Sequence, residues 1–222
     1  MTVAPVAPLA APRDDASARR RPDWLVPSLL VLLSLVPAVA GIARLAELAG
    51  GAEVTSANAR FVAAPLPVVV HILAVIPYSI AGAFQFAPAF RRRRPGWHRA
   101  TGRVLVVLGM AAALSGLWMA HFYPWPEGDG VAVYALRLVF GSAMAAAIVR
   151  AVRAIVRRRY VAHGDWMMRA YAIGLGAGTQ TLTHLPEALA DRASDVAAAA
   201  ASVGYKVGEV VSAPVRGAAS GL

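Results

Sequence analysis

Cysteine is absent from the 222 residues. Disulfides, thiolate metal centres and cysteine nucleophiles are thereby excluded, and the redox compartment is left open. Acidic residues are scarce, with 12 Asp and Glu in all, mostly in links and tails. Only Asp165 and Glu209 stand near a helix interior, so no pair of catalytic carboxylates is in view. Charged residues make up only 15% of the chain, against roughly 25% in a soluble domain. No His-Glu-x-x-His, phosphate-binding loop or serine elbow occurs. The Gly-Leu-Gly-Ala-Gly run at 174–178 is no dinucleotide fingerprint, because no strand precedes it. No catalytic residue is assigned.

What is present is apolar. Hydrophobic residues make up 58% and the mean hydropathy is +0.56, the composition of a membrane protein. Six oily runs follow one another at 24–45, 66–90, 99–122, 131–154, 165–188 and 193–213. Each is near the roughly 20 residues that a helix needs to cross a bilayer. The expectation is an all-α polytopic bundle of about six transmembrane helices. A basic tail over 1–22 precedes a single helical domain over 23–214, and a short tail over 215–222 ends the chain. The first run has no cleavage site after it and is read as a retained helix. The last run is alanine-rich and carries Lys206 and Glu209, so a helix lying on the membrane surface competes with a span there.

The net charge is +10, and 21 of the 22 basic residues are arginine. These arginines fall between oily runs, which points to membrane orientation and not to nucleic acid. The tail, the 91–103 link and the 150–159 link are crowded with them, whereas the 46–65 and 123–130 links hold only Arg60. The crowded links are therefore expected in the cytoplasm, with both termini. The same links are expected to meet anionic lipids of a bacterial inner membrane. Trp97, Trp118, Trp125 and Trp166 lie near span ends, as interfacial tryptophans do. As partners the reading includes the bilayer itself and either a second copy or a larger membrane complex.

Five histidines sort by depth on this topology. His98 and His163 fall at the inner end, and His71, His121 and His184 toward the outer end. His163 and His184 are separated by roughly 31 Å along one helix. Two histidine layers in an antiparallel bundle resemble the cytochrome b561-type architecture, in which haem is held between helices near each membrane face. Imidazole is a good axial ligand for haem iron. Candidate ligands are His71 with His184 and His98 with His163, with Arg137 for a propionate or other anionic group. Gly82, Gly174, Gly176 and Gly178 are the small residues that such a porphyrin requires. His71, His121 and His184 form a competing outer metal site. The structural alternative is that the histidines bind nothing and the glycines serve close helix packing. Two functions thus stand side by side: a haem b electron carrier, or a cofactor-free transporter-like bundle or accessory subunit.

One ordered set of residues carries a family resemblance. His71, Gly82, Gln85 and Phe86 lead through the arginine run to His98-Arg99 and Gly102-Arg103. The set resumes at His163, Trp166, Met167 and Arg169, then Gly178, Thr179 and Gln180. Over roughly 66–190 the chain resembles the predicted bacterial membrane proteins grouped as domain of unknown function 2306. The resemblance implies a multi-helix integral membrane protein and carries no settled activity. His71, His98 and His163 match its motif positions, whereas His121 and His184 are outside them.

Overall fold

The computed structural model describes residues 24–51, 53–126 and 129–178. These residues are helical and contain no strand. Four helices are long and apolar enough to cross a membrane: α1 (Leu25–Ala49), α3 (Pro65–Gln85), α5 (Pro95–Phe122) and α6 (Val131–Val156). At 1.5 Å per residue even the shortest, α3, spans about 31 Å, the thickness of a hydrocarbon core. A further helical run over 160–178, α7, continues to the last described residue. Two short helices lie in the links, α2 (Ala59–Ala63) and α4 (Pro88–Arg93). The 1–22 tail, the sixth oily run, and Thr179, Gln180, Thr183 and His184 lie outside the described residues.

Proline sets several of the boundaries. Pro65, Pro88 and Pro95 each stand in the first turn of their helix, where no intrahelical N–H is needed. The second oily run therefore stops at Gln85 and restarts as α4, in place of one span to residue 90. The third begins four residues earlier than expected, which puts His98 inside α5. Between α6 and α7 the backbone turns through Arg158 at φ 57°. Arg159 N–H bonds the Ala154 carbonyl at 2.9 Å and Arg158 N–H the Ile155 carbonyl at 3.0 Å. This is a Schellman closure with arginine where glycine is usual.

Helix α3 is central. It packs against α1 on one side and α5 on the other, and α6 packs on α5. Helix α7 joins them through Tyr171 at Gly82 of α3, Gly174 at Met144 of α6, and Gly178 at Pro37 of α1. The core combines Tyr78, Ala83, Leu105, Ala113, Met144, Ala147, Ile148, Ala170 and Tyr171. Outward, α1 exposes Leu29, Leu32, Leu35, Val39 and Ile42, and α6 exposes Leu136, Val139 and Phe140. Such continuous apolar faces suit lipid and not water.

Candidate functional site

The seam between α3 and α5 has a seven-residue repeat. Gln85 lies over Gly102, Tyr78 over Gly109 and His71 over Gly116. Each step of seven on α3 meets a step of seven on antiparallel α5, so three polar side chains fall on three glycines. A Cβ at Gly109 would sit 2.6 Å from the Tyr78 ring, and one at Gly116 3.3 Å from the His71 ring. A Cβ at Gly102 would sit 3.9 Å from Gln85 Oε1. The seven-residue period keeps one face of each helix turned to its partner.

His71 is held firmly on this seam. Its Nδ1 is 3.0 Å from the Ala112 carbonyl and 3.1 Å from the Ser115 hydroxyl. Ser115 itself donates to the Ala111 carbonyl at 2.6 Å. A carbonyl only accepts, so Nδ1 carries the proton and Nε2 keeps its lone pair. His163 repeats the arrangement, with Nδ1 3.0 Å from the Ala151 carbonyl of α6. Histidine ligands of metals are commonly oriented in this way. His98 is different: its Nδ1 is buried and has no hydrogen-bond partner. It lies within electrostatic range of His163, Arg91 and Arg99. His98 and His163 thus lie within electrostatic range of each other at the arginine-rich end. There Arg150 and Arg169 both stack on Trp166, at 5.0 and 4.7 Å from its ring centroid.

The opposite end carries the two ion pairs found among the described residues. Arg44 pairs with Glu47 at 2.5 Å, and Arg137 pairs with Asp129. Arg137 therefore turns toward the 129–130 link, leaving the lipid-facing middle of α6. Arg44 and Arg60 both lie 4.7 Å from the Phe61 ring centroid. Desolvation lowers the Arg60 pKa, while the Asp129 charge opposes the shift. Burial raises the Tyr123 hydroxyl, which donates to the Ala64 carbonyl. His121 bonds the Tyr134 hydroxyl at 2.8 Å, so it faces α6 whereas His71 faces α5 at Ala112. The third member of the outer trio, His184, lies outside the described residues. No three His, Asp or Glu side chains come together as a metal site among the described residues.

Three of the four glycines read as room for a porphyrin, Gly82, Gly174 and Gly178, have other neighbours, whereas a Cβ at Gly176 would meet nothing within 4 Å. The Tyr171 ring fills the space at Gly82, where a Cβ would lie 2.6 Å from it. Met144 and Tyr78 fill the space at Gly174, and Gly178 rests on Pro37. Tyr171 is fixed there by its hydroxyl, which donates to the Ser79 carbonyl at 2.6 Å. Neither tyrosine stands out in the sequence. The signal that could have revealed Tyr78 is the pair of seven-residue spacings, His71-Tyr78-Gln85 and Gly102-Gly109-Gly116.

The family model for predicted membrane proteins of domain of unknown function 2306 matches residues 68–212. The chain belongs to this family. No curated protein and no solved structure matches it. In this DUF2306 protein the matched region takes in α4 to α7 and nearly all of α3. Of the residues that carry the resemblance, His71, Gln85 and Gly102 lie along the α3–α5 seam, and Gln85 and Gly102 at its far end lie near His98 at the arginine-rich end.

Proposed function

We propose that this DUF2306 protein is a cofactor-free bundle of a bacterial plasma membrane, acting as a transporter-like unit or as a subunit of a larger complex. The arginine-rich end faces the cytoplasm in this reading. One observation supports it above others: the Tyr171 and Tyr78 rings pack on Gly82 and Gly174, two of the four glycines that would line a porphyrin. Those rings are buried, and interiors packed this closely do not open without cost. Full-length protein, expressed with haem supplementation and purified in mild detergent, is expected to show no Soret band. A Soret band that disappears in His71→Ala or His163→Ala overturns the proposal.

The haem b electron carrier is the second reading, and one observation favours it. The Nδ1 atoms of His71 and His163 are both tied to backbone carbonyls, which leaves each Nε2 free to ligate. His71 with His184 and His98 with His163 would hold the iron, and the bound group would supply one-electron transfer. His98 Nδ1 has no hydrogen-bond partner, so this ring lacks the carbonyl anchor that His71 and His163 have.

A further inference from the structure

Two buried nitrogens without hydrogen-bond partners mark one corner of the arginine-rich end. Gln85 Nε2 and His98 Nδ1 are both shielded from solvent and have no hydrogen-bond partner. Gln85 lies over Gly102, and His98 is one helical turn before Gly102 on α5. Residues four apart share a helix face, so both side chains turn to the same corner, where α3 ends and α4 and α5 begin. A buried N–H left unmade is costly, so such a pair calls for an acceptor. Arg91 of α4 and Arg99 of α5 lie within electrostatic range of His98.

Charge narrows what the acceptor is. Both ion pairs of the described residues lie at the opposite end of the bundle. Asp165, the one described acidic residue in this region, is exposed and makes no ion pair. Among the described residues the corner therefore offers nitrogen donors and guanidinium charge with no carboxylate paired to them. It also sits where an apolar bundle meets its polar boundary, within reach of amphiphiles. We infer that Gln85 and His98 hold the oxyanion of an anionic amphiphile, a phosphate or carboxylate, with Arg91 and Arg99 balancing its charge. Gln85 donates through its amide and His98 through Nδ1 in the corresponding tautomer. This differs from diffuse attraction of arginines to a charged surface, because it depends on two uncharged donors.

The inference rests on the cofactor-free reading of this end. The two fail differently, since haem announces itself by absorbance and the headgroup site by lipid retention. The test uses the full chain in neutral detergent. Its thermal midpoint is followed with added phosphatidylglycerol, phosphatidylcholine or inorganic phosphate, and bound lipid is counted by native mass spectrometry. Phosphatidylglycerol is expected to raise the midpoint by several degrees and to stay bound, while phosphatidylcholine does neither. The rise should vanish in Gln85→Leu and His98→Phe and persist in the Arg92→Gln/Arg93→Gln control. A Gln85-dependent rise with inorganic phosphate also supports the oxyanion site and makes its source a free anion. If Gln85→Leu does not fold, Gln85→Glu keeps the side-chain shape and sets a like charge against the oxyanion, so lipid retention should drop. Equal retention in wild type and all these variants, or no retention at all, overturns the inference.

Discussion

Tyr78 is only 2% exposed, and its hydroxyl has no hydrogen-bond partner. Its ring is held between Gly109 of α5 and Gly174 of α7. A cavity of about 40 Å³ adjoins it, lined in part by Ser34, Pro37 and Ser79. Neither serine pairs with the Tyr78 hydroxyl; Ser34 donates to the Leu30 carbonyl and Ser79 to the Val75 carbonyl. A buried polar group left unsatisfied costs about 1–3 kcal/mol, whereas its removal with shape kept is close to neutral or stabilising. Tyr78→Phe is therefore expected to leave the thermal midpoint in detergent unchanged or raised. A fall equivalent to more than about 1 kcal/mol would mean that the hydroxyl has a strong partner, such as a fixed water. Little of this residue's role was legible beforehand. A tyrosine in an oily run reads alike at an interface and in a core, and only the facing glycine tells them apart. The histidines were legible as a set but not in their bonds, since Nδ1 anchoring on Ala112 or Ala151 depends on which helix lies opposite.

At the scale of elements, the α3–α5 ladder makes a graded prediction. Adding a methyl to each glycine meets a different obstacle. At Gly109 it lies 2.6 Å from the Tyr78 ring, whose other edge already touches Gly174, so the ring has nowhere to go. Gly109→Ala should cost about 1–3 kcal/mol, the usual penalty of overpacking. At Gly116 the His71 ring must yield only a few tenths of an ångström, and the loss should be smaller. At Gly102 the nearest atom, Gln85 Oε1, is in ordinary contact at 3.9 Å. There the helix propensity of alanine, worth up to about 1 kcal/mol over glycine, decides the sign, and Gly102→Ala should be neutral or stabilising. Reversible unfolding of the three variants should rank them 109, 116, 102 from most to least harmed. An equal cost at all three positions would sink the ladder. The four spans found among the described residues were legible because hydropathy and length fix them to within about five residues. The short helices α2 and α4 were not, since they depend on proline and capping more than on any apolar period.

For the whole molecule, the arginines make the prediction. The 91–103 and 150–159 links lie at one end of the bundle, as the electrostatic proximity of His98 to His163 requires. The Arg44–Glu47 and Arg137–Asp129 pairs lie at the other end, where positive charge is matched by carboxylates. Arginine-rich links are retained on the cytoplasmic side, because unmatched positive charge resists translocation. Six spans with both termini inside is the topology that this asymmetry predicts. The chain has no cysteine, so single cysteines report without background. Thr55→Cys and Glu127→Cys are expected to react with a membrane-impermeant maleimide added outside intact cells. Ala10→Cys and Ala218→Cys are expected to react only after the cells are opened. Protection of both positions 55 and 127 together with labelling of position 10 would reverse the orientation and move the His98–Gln85 corner outside. External labelling at 218 alone would remove the sixth span and leave the other five and their polarity intact. The arginine asymmetry would survive that result, because none of the crowded links lies beyond residue 159.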